Sequence, residues 1–123
     1  MTKTDPIRDV LGEMQARCDA ATPGPWVHTY GPRELPRIWS DAPGFDGEFI
    51  AKCSMRDDLP DAEFIAAART DLPRLIAAVE GVLELHRDTD SGHTALCGEC
   101  DEDWPCPTIR AITAALLGGE SDA

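Results

Sequence analysis

Leu72-Pro73-Arg74-Leu75-Ile76-Ala77-Ala78-Val79-Glu80-Gly81-Val82-Leu83-Glu84-Leu85-His86 is the most strongly periodic stretch of the chain. Leu72, Leu75, Ile76, Val79, Val82, Leu83 and His86 recur at the spacing of a helical turn, so they form one apolar face of a long helix. Pro73 then falls in the first turn, where its missing N–H costs least, and Thr70-Asp71 supplies the cap. A shorter, alanine-rich helix capped by Asp61, from Ala62 to Arg69, is expected just before it. One continuous helix kinked at Leu72-Pro73 is the alternative.

Toward the N-terminus, Ile7, Val10, Leu11, Met14 and Cys18 form a second helical stripe, with Asp5 as cap and Pro6 in the first turn. That helix should stop before Thr22-Pro23-Gly24-Pro25, because two prolines and a glycine forbid its continuation. Three short apolar pieces follow: Trp26 to Tyr30, Arg37 to Ser40 and Glu48 to Ala51. Gly31-Pro32 and Asp41-Ala42-Pro43-Gly44 separate them. This pattern reads as a small antiparallel sheet of about three strands, whose apolar face a helix must cover. Toward the C-terminus, residues 88–103 lack periodicity. A last helix is expected from Pro107 to Leu117, with Ile109, Ile112 and Leu116 on one side and Gly118-Gly119 ending it. The expected class is α+β in a single small domain, 1–123. Residues 1–87 form its body, 88–117 a knuckle with the C-terminal helix, and 118–123 a flexible tail.

The chain has 123 residues, 11 Lys and Arg against 23 Asp and Glu, and a net charge of -12. That balance disfavours direct nucleic-acid binding, which rests on cations displacing counterions from phosphates, and docking on anionic lipid. No stretch approaches the roughly 20 apolar residues of a membrane-spanning helix. The first ten residues lack the apolar centre of a signal peptide, so a cytoplasmic location is expected.

Five cysteines, an odd count with three near the C-terminus, suit metal binding better than a disulfide framework. Cys97-Gly98-Glu99-Cys100 is a knuckle that aims two sulfurs at one point, and Cys106 follows just before Pro107, at the expected start of the last helix. A thiolate there faces the positive end of the helix dipole, which favours ligation. Three thiolates and one imidazole form a standard structural zinc set. His86 and His93 are both candidates for the fourth place. His86 ends the long helix and would tie it to the knuckle, whereas His93 would need a tight loop. A redox role for the pair is disfavoured by Asp101-Glu102-Asp103, because nearby acids oppose a thiolate. Cys18 and Cys53 read as small packed side chains.

Between Glu80 and Asp103 there are eight acids (Glu80, Glu84, Asp88, Asp90, Glu99, Asp101, Glu102 and Asp103) against one base, Arg87. A solvated surface is one reading of this belt, and a docking face for a basic partner is the other. Trp104 beside the cysteines would pack over the metal site or anchor a partner. No serine lies in a Gly-x-Ser-x-Gly element, and neither a phosphate-binding glycine loop nor His-Glu-x-x-His is present. Asp57, Asp58, Asp61 and Glu63 read as helix caps and surface charge. The expected protein is therefore not an enzyme.

Two stretches carry a resemblance. Thr22-Pro23-Gly24-Pro25-Trp26, with Asp61-Ala62-Glu63-Phe64-Ile65-Ala66-Ala67-Ala68-Arg69 downstream, resembles the Ead/Ea22-like family of small phage and prophage proteins, which has no assigned biochemical activity. The tail from Cys97 through Trp104-Pro105-Cys106-Pro107-Thr108-Ile109-Arg110-Ala111 is similar to a segment of uncharacterised actinobacterial and actinophage proteins. In that group a histidine often stands some way before the first cysteine, at the place of His86. The resemblance thus implies His86, Cys97, Cys100 and Cys106 as zinc ligands, with His93 as the alternative to His86. It also implies a phage-encoded or prophage-encoded accessory protein in an actinobacterial cytoplasm, without a mechanism, and the charge concentrated around the knuckle points to binding of a host or phage protein through that acidic face. An acidic mimic of nucleic acid that sequesters a DNA-binding protein is the first rival reading, and a metal- or thiol-dependent enzyme is the second.

Overall fold

The computed structural model describes residues 5–45, 47–55, 58–89 and 96–118. The elements run α1 (Asp5–Ala20), β1 (Trp26–Thr29), β2 (Arg37–Ser40), β3 (Phe49–Lys52), α2 (Leu59–Leu85) and α3 (Pro107–Leu116). The fold is α+β, with three helices and one antiparallel sheet among the described residues. Two compact units divide it: Gln15–Leu75, and the described residues of Met1–Met14 with Ile76–Ala123.

In the unit Gln15–Leu75 the strands lie in the order β1-β2-β3. Trp26 pairs with Ser40 and Thr29 with Arg37 on one side of β2. On the other side, Arg37 pairs with Lys52 and Trp39 with Phe49, across an irregularity at Ile38 and Trp39. Alternation along β2 sends Ile38 and Ser40 to the buried face and Arg37 and Trp39 outward. Ser40 keeps its buried hydroxyl satisfied by donating to the Pro23 carbonyl (2.8 Å) and accepting from the Ala42 amide (3.2 Å). On the outer face Trp39 meets Phe49 edge to face at 5.3 Å and donates its indole N–H to Thr29 Oγ1.

One side chain ties the end of α1 to α2 in this unit. Arg69 donates Nε–H to the Thr22 carbonyl (3.0 Å) and Nη2–H to the Cys18 carbonyl (2.9 Å). Its guanidinium also lies 5.8 Å from the centre of the Trp26 ring. Cys18 sits in the last turn of α1, where backbone carbonyls lack helical donors, so a half-buried cation is well placed. A Cβ on Gly24 would stand 2.8 Å from Arg69 Cγ, so the chain wraps this arginine only with glycine there. Pro23-Gly24-Pro25-Trp26 and Ala62 to Arg69, remote in sequence, thus close on each other.

The helix expected in two pieces is one. α2 runs unbroken from Leu59 to Leu85 with Pro73 inside it. Ala62, Ala66, Ile76 and Leu83 are all buried, and they keep a single helical register through the proline. That continuous face outweighs the one backbone hydrogen bond Pro73 removes. The start differs as well. Asp61 lies in the first turn, and it is Asp58 that precedes the helix, accepting the Met55 amide on its carboxylate (2.9 Å) and the Ala62 amide on its carbonyl (3.0 Å).

In the other unit the buried apolar side chains are Ile7, Leu11, Ile76, Leu83 and Ile109, together with Cys97 and Cys106. α3 spans ten residues, one fewer than expected, and ends with the Gly118 amide donating to the Thr113 and Ala114 carbonyls (both 3.2 Å). Residues 119–123, including the second glycine of the expected stop, lie outside the described residues. Among the described residues no helix is long and apolar enough to cross a membrane.

Candidate metal centre

Three local structures deliver four donor atoms to one point. His86 is the first residue past α2, and its amide still donates to the Val82 carbonyl (2.9 Å), so the helix sets its position. The chain leaving the helix then runs antiparallel to the knuckle. Asp88 bridges to Cys97, the Thr89 amide donates to the Leu96 carbonyl (3.0 Å), and the Gly98 amide donates to the Arg87 carbonyl (2.8 Å). A Cβ at Gly98 would come within 3.4 Å of the Thr89 side chain, which keeps this approach tight.

The knuckle closes on itself. The Cys97 amide donates to Glu102 (2.8 Å), the Asp101 amide returns to the Cys97 carbonyl (3.0 Å), and Leu96 bridges to Asp103. Reversal at this point puts Asp101 in the left-handed region with φ 59, a conformation Asp tolerates better than most residues. Cys106 stands at the N-cap of α3 in extended conformation, with Pro107 opening the helix and no side-chain hydrogen bond capping it. Its sulfur is therefore not spent on the helix end.

These elements bring His86, Cys97, Cys100 and Cys106 together, with all four ligand atoms within 4.8 Å of one another. His86 Nδ1 lies 3.4 Å from Cys97 Sγ, 3.5 Å from Cys106 Sγ and 3.9 Å from Cys100 Sγ. Cys97 and Cys106 are buried, His86 is half-buried, and Cys100 faces solvent. Three thiols and an imidazole in this arrangement could hold a metal ion. Among the described residues no second group of metal-binding side chains gathers this way. His93 lies outside the described residues, as do Asp57 and Asp90.

The thiols differ in acidity. Burial pushes the Cys97 thiol up, but the Cys100 and Glu99 amides, with side-chain contacts from Cys100 and His86, outweigh it and bring the value down to about 6. The Glu99 amide lies 3.4 Å from that sulfur. Burial also raises Cys100; an opposing contact from the Glu102 amide is outweighed by Cys97 and Cys106, and the thiol reaches about 11. One negative sulfur thus suppresses ionisation of its neighbour, and a cation among them would relieve that opposition.

Of the remaining candidates, Cys18 is buried. Cys53 is held above the usual thiol value by burial and by the carboxylates of Asp58 and Asp61, which suits packing better than reactivity. Asp58 is occupied with the Met55 amide, and Glu63 lies 3.9 Å from His28. Glu80, Glu84, Glu99, Asp101, Glu102 and Asp103 are exposed, while Asp88 is half-buried. Trp104 is half-buried, and its indole N–H is enclosed without an acceptor among the described residues. Comparison with protein-family models, with curated proteins and with solved structures gives no match to this chain.

Proposed function

We propose that His86, Cys97, Cys100 and Cys106 hold one structural zinc ion. We further propose that the protein is a non-enzymatic accessory protein of phage or prophage type, docking a host or phage protein in the cytoplasm through its acidic face. The distances around His86 Nδ1 carry the metal reading. A tetrahedral zinc with bonds of about 2.3 Å to sulfur and 2.05 Å to nitrogen sets those ligands about 3.6 Å apart. Sulfurs at 3.4, 3.5 and 3.9 Å from Nδ1 bracket that spacing. Thiolate-rich sets favour zinc over the hard cations magnesium and calcium. Four protein ligands leave no position for a substrate, which supports a structural ion. The exposed acids of the knuckle support docking, because a rigid turn presents Glu99, Asp101, Glu102 and Asp103 as one negative patch.

Purified protein is expected to carry about one zinc per chain, and its three cluster thiols to resist alkylation until a chelator is added. Rapid alkylation of the zinc-loaded protein would favour the thiol-dependent enzyme instead. Pull-down from an actinobacterial lysate at low and high salt tests the acidic face. One stoichiometric partner released by salt supports the reading, and no partner at either salt rejects it. If the captured protein is a DNA-binding protein that loses its DNA, mimicry of nucleic acid is the form the docking takes.

A further inference from the structure

Within the unit Gln15–Leu75, the face of α2 turned away from its buried residues is itself apolar. Phe64 is 74% exposed and Leu75 62%, with Ile65 at 37% and Leu72 at 39% beside them. Ala67 and Ala68 lie between. At about 100° per residue, Phe64, Ala67, Ala68, Asp71 and Leu75 share one strip, opposite the buried Ala62 and Ala66. Solvating two large side chains in line is unfavourable, so the strip calls for a cover.

Two residue pairs on the flanks of the strip share one midpoint. Glu63 and Arg74 stand on one flank, eleven residues apart, and both are exposed. Ile65 and Leu72 stand on the other flank. The midpoint of each pair falls between Ala68 and Arg69. An antiparallel copy of α2 crossing there brings Glu63 to face Arg74 of the second copy, and Arg74 to face its Glu63. Ile65 faces Leu72 in the same way, while Phe64 and Leu75, whose midpoint lies one residue further on, interleave along the strip. Small Ala67 and Ala68 at the crossing allow the two helices to approach closely. A two-fold contact demands such self-complementarity, in which residue i meets j and j meets i.

We infer that this strip of α2 is the interface of a two-fold antiparallel homodimer. The observation carrying it is the matched placement of Glu63 against Arg74 and Ile65 against Leu72 about a common centre. The inference is independent of the zinc reading. The contact spans only about three turns, small for a stable interface, so association belongs in the range of about 10 μM to 1 mM. Asp71 is an acid within the strip and limits its strength.

Sedimentation equilibrium of the zinc-loaded chain across that range tests it. A concentration-dependent dimer is expected, weakened at least about tenfold by Phe64→Ser, or by Leu75→Ser if the first variant melts early. Asp71→Ala should tighten it. Glu63→Arg and Arg74→Glu should each weaken self-association at least about threefold, because two attractive pairs become repulsive. An equimolar mixture of those two variants should recover the wild-type affinity, since each then offers the charge the other needs. A monomer throughout the range overturns the inference, as do a dimer indifferent to both serine substitutions and a mixture no tighter than its components.

Discussion

The two units hold themselves together by different means, although both are short of large buried side chains. In Gln15–Leu75, a single arginine draws in backbone carbonyls from the end of α1 and a tryptophan ring, and a glycine makes room for it. In the other unit, an imidazole and three thiols converge on one point. The first device works through hydrogen bonds within the chain, each worth about 1 kcal/mol net and more when one partner is charged. The second could hold a cation, and a structural zinc bound there would contribute on the order of 10 kcal/mol. The units should therefore answer differently to the same perturbation.

Metal removal is the largest expected effect and the most direct way to break that contrast. Chelation, Cys97→Ser or Cys106→Ser should abolish zinc binding. Hydrogen exchange should then show loss of protection at Cys97, Gly98 and Arg110, whose amides donate to the Glu102, Arg87 and Cys106 carbonyls, while the amides pairing β1, β2 and β3 stay protected. His86→Ala should weaken zinc binding by orders of magnitude and His93→Ala by little. Equal loss of protection in both units would show that they do not respond separately, and a fully protected metal-free protein would remove the zinc staple altogether.

Arg69 offers the converse test. Arg69→Ala deletes two charged hydrogen bonds to carbonyls and a cation–π contact, which should cost about 2–4 kcal/mol in denaturant unfolding and leave zinc stoichiometry unchanged. Gly24→Ala alone should cost about 1–2 kcal/mol, because its methyl would collide with Arg69 Cγ. In the double variant the second cost should largely vanish, since the colliding side chain is gone. Additive costs would mean that Gly24 serves the turn and not the arginine.

What could be read in advance follows the same division. Ligands at fixed short spacing are visible in a sequence, so Cys97, Cys100 and Cys106 stood out, and the strands were marked by Gly and Pro on either side. Arg69 leaves no such mark, because its partners are backbone carbonyls, which any residue supplies. Local propensity makes Pro73 a boundary, whereas the buried register from Ala62 to Leu83 is a longer-range property that overrides it. The bridges from Asp88 to Cys97 and Leu96 to Asp103 are single pairs, too short to leave an alternating pattern. Choosing His86 over His93 needed a resemblance, because spacing alone leaves both within reach.

Acidity sharpens the contrast further. Zinc binding must displace at least the proton of Cys100, held near 11, so apparent affinity should rise at least about tenfold per pH unit between pH 6 and 8, and more steeply below about 6, where Cys97 is also protonated. Competition titrations with a chelator of known pH dependence would read this slope. Without metal, the two thiols pull in opposite directions. The lowered value of Cys97 contributes stability that is complete above 9 and lost as pH falls through 6. The raised value of Cys100 contributes stability that is present below 9 and lost as pH rises to 11. A flat affinity across this range would mean that Cys100 is not a ligand.

The smallest expected effect lies in the turn of the knuckle. Asp101 holds φ 59, where glycine meets no steric opposition, and its amide closes the turn onto the Cys97 carbonyl. Asp101→Gly therefore relieves strain of about 1 kcal/mol in the folded turn but loosens the unfolded chain by a comparable amount. The net change in stability should stay within about 0.5 kcal/mol, while the substitution removes one charge from the acidic patch. Zinc affinity should be nearly unchanged and the salt sensitivity of partner binding reduced. The variant thus separates the two roles proposed for the knuckle: if zinc affinity falls with the charge, the acids act on the metal, and if only partner binding falls, they act on what docks there.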